Sequence, residues 1–297
     1  MTGARRLREL LAGEQLIVAP GIYDGISAAL VAASGFPAAY MTGAGVSASG
    51  FGLPDVGLVT LTEMAERARV LSGVLGAGEG PALPLIADAD TGYGSPVNVV
   101  RTVQEYERAG VAAIQLEDQT LPKRCGHLAG KDVIAAARFA VAIEAAVQAR
   151  RDPDTVIVAR TDARAPLGLD EAIARGRTYA EHGADVIFIE APQSEAEIER
   201  IAKEIDAPLL LNIVPGGRTP ELPAARLAEL GYRIVIHPGA LLFEVSRAAI
   251  AALEELAGRS GARPEAGAGV EAFFDLFGLA RWSALAERYA AYEEPSP

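Results

Sequence analysis

The chain has 297 residues, half of them hydrophobic and 22% charged, enough to bury one core of barrel size or two smaller ones. Lys and Arg number 27 against 39 Asp and Glu, and a formal net charge of -12 argues against nucleic acid or an anionic membrane as a partner. One cysteine excludes an internal disulfide, and no apolar stretch approaches the ~20 residues of a membrane span, so a soluble cytoplasmic protein is expected.

The N-terminal MTGARRLRELLAGEQ carries arginines, but Glu9 and Glu14 interrupt any run of signal-peptide length. Short β-branched apolar runs then alternate with longer alanine-rich segments. The runs are LIVAP at 16–20, AAYMTG at 38–43, PLIADAD at 84–90 and AAIQLED at 112–118. They continue with TVIVARTD at 155–162, DVIFIEAP at 185–192, PLLLNIV at 208–214 and RIVIHP at 233–238. Between them, SPVNVVRTVQEYERAG, IAAARFAVAIEAAVQARR and LDEAIARGRTYAEHGA place apolar residues at i, i+3, i+4 and i+7. Several of these helical stretches end in glycine just before the next strand.

Eight strand–helix units predict a parallel sheet covered by helices and closed as a (β/α)₈ barrel over residues 1–265. A nucleotide-binding doubly wound sheet fits less well. No G-x-G-x-x-G follows the first strand, and TGAGVSASG after the second has neither that spacing nor a P-loop lysine. GAGEGP at 76–81 reads as a flexible loop inside one domain. Residues 266–297 add a helical extension, either part of the same domain or swapped to a neighbour. In it VEAFFDLFGLARWSALAERYAAYEE places Phe273, Phe274, Phe277 and Trp282 with no barrel strand left to cover. Exposed aromatic surface of that kind predicts association, with the helix exchanged between subunits of a homotetramer.

Chemistry in such a barrel lies at the C-terminal strand ends. Those ends read Thr42-Gly43, Asp88 and Asp90, Glu117, Arg160, Glu190, Asn212 and His237. Carboxylates converging on one mouth would repel, and a metal ion would resolve the repulsion. Asp88 and Asp90, two residues apart, lean to the same side of an extended chain. With Glu117 they form an oxygen-rich set suited to a hard cation such as Mg²⁺, which keeps several waters. Arg160 could grip a carboxylate with two hydrogen bonds, or pair structurally with Asp162 or Glu190. Asn212 could bond the same ligand or serve only as a turn residue. The three histidines are too scattered for a zinc site; His182 reads as a surface residue and His237 as a buried, hydrogen-bonded one.

LPKRCGHLAGK at 121–131 holds the only cysteine and follows the fourth strand, so it hangs over the same mouth. Lys123, Arg124 and His127 would favour thiolate at Cys125, as reactive cysteine chemistry requires. Gly126 and Gly130 would let the loop move as a lid must. A buried small hydrophobe is the usual role of a lone cysteine, but these neighbours are polar.

PKRCGH after LEDQ, together with MTGAGVSASGFGLPD, DADTGYG, ARTDA and LNIVPGGRTP, resembles the isocitrate lyase and phosphoenolpyruvate mutase superfamily in its cysteine-bearing branch. The resemblance runs from about residue 15 to the end of the barrel. It implies a Mg²⁺-dependent barrel, with Mn²⁺ able to substitute, that forms an enolate-like species of a small 2-oxo or 2-hydroxy acid. Asp88 and Asp90 match the metal-site aspartates, and Glu117 the acid that holds a metal-bound water. Thr42, Gly43 and Ala44 match the segment contacting the substrate carboxylate, where members often have Ser-Gly-Gly. Tyr40, Asp88, Gly126, Arg160, Glu190 and Asn212 fall at substrate-site positions, and Asp55 in the mobile GLPD segment. Cys125, among Lys123, Arg124 and His127, matches the residue that protonates the carbanion. Members form tetramers with a C-terminal helix exchanged between barrels.

Isocitrate lyases proper carry inserted segments that this chain lacks. Methylisocitrate lyases have TEFG after the asparagine where this chain has IVPGG at 213–217. CGHLAGK is closer to lyases of simpler malates and to carboxyphosphonoenolpyruvate phosphonomutase. The leading expectation is retro-aldol cleavage of a 2-hydroxy dicarboxylate like 2-methylisocitrate or 2,3-dimethylmalate, or of oxaloacetate. The alternatives are the phosphonomutase reaction and a barrel that binds 2-oxo acids without turnover.

Overall fold

Eight strands run parallel and pair in chain order, the last returning to the first to close a barrel. The computed structural model describes residues 1–78, 80–126, 128, 130–258 and 270–290. Helix α1 (Gly3–Ala12) precedes β1 (Ile17–Ile22), and α2 (Gly25–Ala33), β2 (Ala39–Met41), α3 (Gly43–Phe51) and α4 (Leu61–Leu75) follow. Next come β3 (Leu85–Asp88), α5 (Pro96–Arg108), β4 (Ala113–Glu117), α6 (Ala136–Ala149) and β5 (Val156–Thr161). Two helices, α7 (Arg164–Leu167) and α8 (Leu169–Glu181), lead to β6 (Val186–Ile189), α9 (Glu195–Glu204) and β7 (Leu209–Asn212). The barrel ends with α10 (Ala224–Glu229), β8 (Tyr232–His237) and α11 (Ala240–Leu256); α12 (Val270–Asp275) and α13 (Leu279–Ala290) lie beyond it.

Each apolar run expected to be a strand is one, because strands buried on both faces need no polar alternation. Local signals set the helix starts. Thr60 and Glu63 cap α4 reciprocally, Asp24 and Ser27 do the same for α2, and Pro96 takes the first position of α5. Gly52, at φ 61, ends α3 in the left-handed region.

The N-terminal stretch holds a helix that its arginines did not announce. On α1, Ala4 and Leu7 are buried and pack with Ile17, Ala113, Val156 and Val186, plugging the barrel at the end opposite the strand C-termini. Arg8 ties the plug to Asp185 at 2.8 Å. Among the described residues no helix is long and apolar enough to cross a membrane.

The tail departs from expectation. Phe273 and Phe274 are not exposed: both are buried against the chain's own barrel. Phe273 meets Phe243 of α11 edge-on at 5.1 Å and Phe277 at 5.2 Å. Phe277 and Trp282 are half-buried. The start of α11 and the second half of α12 with Phe277 just beyond it thus form a local aromatic cluster that covers most of the surface expected to seek a partner.

Candidate active site

Side chains alternate along a strand, so the inner face advances by steps of two. Ile86 leads to Asp88, Ala113 and Gln115 to Glu117, Val158 to Arg160, Phe188 to Glu190, and Leu210 to Asn212. The barrel interior is therefore apolar at its base and polar at the strand C-termini. That polar layer is itself buried, with Glu190 1% and Glu117 2% exposed.

One cavity opens there. It is lined by Tyr40, Thr42, Ala44, Asp55, Asp88, Cys125, Gly126, Arg160, Glu190 and Asn212, all expected from the sequence. Val214, Pro238, Leu242, Phe243 and Phe274 add an apolar wall from the last two strand ends, α11 and α12. Sequence reading missed this wall, because its members are ordinary apolar residues until the chain folds.

Three donors aim Asp88. The N–H of Gly43, first residue of α3, reaches Oδ2 at 3.3 Å, while the Asp90 N–H and the Gln115 amide reach Oδ1 at 3.1 and 3.4 Å. A Cβ at position 43 would run into that carboxylate, so glycine permits the approach. The Tyr40 hydroxyl donates to Gln115 Oε1 at 3.1 Å and orients the amide. Thr42 caps α3 through its hydroxyl to the Gly45 N–H at 3.3 Å.

The carboxylates do not converge as a metal cage. Among the described residues no three acidic, imidazole or thiol groups are placed to hold an ion together. Asp90 is turned instead to Lys123, whose buried ammonium lies 2.5 Å from its Oδ1 and also pairs with Asp55. Burial alone would lower the lysine's pKa, but Asp55, Asp90, Glu117 and Asp88 outweigh it and hold the ammonium well above the usual range. The repulsion assigned to a metal is thus partly answered by Lys123. Burial, reinforced by Asp88 and Asp55 against Lys123, pushes the Asp90 carboxyl up to about 7. Burial likewise pushes Glu117 well above the usual carboxylate range, against Arg160 and Lys123.

A divalent ion still fits in a sparser mode. Asp88 presents an oriented carboxylate, and Glu117 Oε1 is buried without a hydrogen-bond partner. Mg²⁺ takes one or two carboxylates and keeps the rest of its shell as water. Asp88 with a water-bridged Glu117 suits that habit better than the expected direct triplet.

Arg160 follows the structural reading more than the substrate grip. Its Nε and Nη2 fork onto Asp162 at 2.9 and 3.0 Å, Nη1 lies 3.3 Å from Glu117 Oε2, and the guanidinium sits 5.3 Å from the Phe188 ring centroid. What it offers the cavity is a cation already oriented from behind. Asn212 Nδ2 reaches both Glu190 oxygens at 3.3 Å.

The chain just before the cysteine is tied down. Cys125 is half-buried and lines the cavity. The Gln119 amide clips the Arg124 backbone, accepting from its N–H and donating to its carbonyl, each at 2.9 Å. Lys123, expected to bias the thiol, is engaged by aspartates, and His127 lies outside the described residues. Of the other histidines, His182 is half-buried with Nδ1 2.7 Å from the Thr178 carbonyl, and His237 is half-buried rather than fully enclosed.

Support from behind the site was also missed. Asp118 accepts from the Asp162 N–H (2.9 Å), the Thr161 hydroxyl (2.7 Å), the Tyr179 hydroxyl (2.8 Å) and Arg175 Nη1 (3.0 Å). Its signal was present in LED, which puts a second acid, Asp118, beside the inward Glu117. An acid beneath the helix layer must find partners there.

The phosphoenolpyruvate phosphomutase family matches residues 7–257 of the chain. The 2,3-dimethylmalate lyase of Eubacterium barkeri is 50% identical over 250 residues, 84% of this chain and 84% of that protein. A solved structure of oxaloacetate acetylhydrolase with the inhibitor 3,3-difluorooxalacetate superposes with TM-score 0.82 at 39% identity, covering 97% of each chain. Phosphonopyruvate hydrolase, solved with oxalate and Mg²⁺, gives TM-score 0.75 at 33% identity over 98% of this chain and 100% of that one.

Proposed function

The chain belongs to the phosphoenolpyruvate phosphomutase family, in the superfamily shared with the isocitrate lyases, and from that premise we propose that it is a carbon–carbon lyase of small 2-hydroxy dicarboxylates. One observation carries the reading: a single cavity unites an oriented guanidinium, Arg160, with a thiol-bearing loop, Cys125. Half-identity to a protein named for 2,3-dimethylmalate supports that acid as substrate, and the apolar wall suits its methyl groups.

Mg²⁺, or Mn²⁺ in its place, would be held by Asp88 and, through water, by Glu117. Bound there, it supplies the positive charge that acidifies the substrate's 2-hydroxyl. The chain's own groups do the rest. A buried carboxylate of the Asp88, Asp90 and Glu117 group takes the hydroxyl proton as the C2–C3 bond breaks. The bond's electron pair leaves on the carboxylate-bearing fragment, where the positive charge of Arg160 stabilises it. Cys125 delivers its thiol proton to that carbon as general acid, forming the new C–H bond. From 2,3-dimethylmalate the products are pyruvate and propionate, and the atoms balance without a co-reactant.

The test is to assay purified protein with Mg²⁺ against 2,3-dimethylmalate, 2-methylisocitrate and oxaloacetate. We expect pyruvate and propionate from the first. The Asp88→Ala variant is expected to lose turnover together with any Mg²⁺-dependent rise in melting temperature, since a ligand stabilises only the state that binds it. No turnover of any of the three acids would overturn the reading.

A further inference from the structure

Only three of the chain's 27 cationic side chains are lysines, and two of them, Lys123 and Lys131, fall in the cysteine segment. Both are buried, while the third, Lys203, is exposed. Lys123 is accounted for by Asp55 and Asp90. The mechanism makes no use of Lys131, yet its side chain is 1% exposed, a costly place for an ammonium without a specific task.

Its contacts name the task. The Lys131 ammonium donates to the backbone carbonyl of Gly126 and to Asp162 Oδ1, the latter at 2.6 Å. Asp162 holds Arg160 in its fork, and its own N–H is fixed by Asp118 at 2.9 Å. One ammonium therefore joins the residue next to Cys125 to the carboxylate behind Arg160. Gly126 is pressed so closely onto this group that a Cβ would collide with Glu190 and Arg160. A point-like ammonium can serve two acceptors from different elements, whereas a planar guanidinium needs both in its own plane. That accounts for lysine here in a chain that otherwise prefers arginine.

We propose that Lys131 is a positioning residue for the cleavage reaction, holding the Cys125–Gly126 turn down against Arg160 so that thiol and guanidinium face one cavity. Its catalytic consequence rests on the lyase reading; its geometry does not. Cys125 is the only thiol, so its alkylation by iodoacetamide reports whether the turn is held, with no substrate needed.

In Lys131→Met we expect labelling to rise roughly tenfold or more, with no dependence on urea below the unfolding transition, as for a local opening. Turnover should fall more than substrate affinity, because the acid rather than the binding cation is displaced. Lys203→Met should label like the parent. Should methionine prevent folding, Lys131→Gln, which keeps a neutral donor, is read the same way, with a smaller rise. If Lys131 only balances the charge of Asp162, labelling stays within about twofold of the parent or rises steeply with urea through global unfolding. Either outcome overturns the proposal. An unchanged labelling rate in an active lyase condemns the latch alone, and faster labelling in a protein that cleaves none of the acids condemns the lyase reading alone.

Discussion

Lys123 shows how a single side chain can stand in for a charge expected from elsewhere. Its ammonium bridges the GLPD segment through Asp55 and the third strand end through Asp90, so two loops meet over one cation. Cys125, two residues on, is held facing the cavity by that anchor and by the Gln119 clip. Cys125→Ser keeps the volume but removes an accessible proton. It should lower turnover by about 100-fold or more, the scale of a lost general acid, with little change in affinity or melting temperature. Steady-state kinetics and a thermal melt of that variant check it; a loss of stability with turnover retained would mean a packing role. At this scale the inward residues were legible, since Asp88, Glu117, Arg160, Glu190 and Asn212 end apolar runs and a polar residue there stands out. Their partners were not. Asp162 on Arg160, Lys123 on Asp90 and Gln115 on Asp88 are distance relations between loops and strands, and no local pattern encodes them.

Among the elements, α12 does the least expected thing. It belongs to the tail, after residues outside the described set, yet Phe274 reaches the cavity and Phe273 meets Phe243 of α11 edge-on. Phe274→Ala should open the apolar wall. We expect a higher KM for an alkyl-bearing acid with kcat less affected, and a stability loss of about 3–5 kcal/mol for removing a buried phenylalanine. Kinetics with 2,3-dimethylmalate and a denaturant melt check both, and an unchanged KM would remove α12 from the site. The strands were legible because a parallel barrel buries both faces and so writes each strand as an unbroken apolar run. The plug helix α1 was not, since its three arginines match its three leucines in number and only Leu7 and Ala4 of its apolar stripe are fully buried. The aromatic tail was legible as a helix but misread as exposed, because the groove that receives it forms only when β8 and α11 are in place.

For the whole molecule, the single-chain burial of Phe273 and Phe274 weakens the simplest argument for association without removing it. Leu253, Leu256 and Leu276 remain exposed on α11 and just past α12. We expect a homotetramer in which the same helices are exchanged between neighbouring barrels, each aromatic cluster re-formed with a partner's tail. Light scattering at micromolar concentration checks it, and a monomeric mass would exclude it. Barrel closure itself was legible from eight repeating units, and the seam that completes it carries a further consequence. Ile17 pairs with Ile234, and Val18 with Val235, across 217 residues of sequence. During synthesis β1 therefore waits, one edge unpaired, until the last strand has left the ribosome. Throughout that interval the β8-facing edge of β1 has no native partner, and long-range pairings of this kind are slow to form. The protein is thus most exposed to aggregation in the time before its end is made, and chaperone dependence should track the rate of translation more than the stability of the finished barrel.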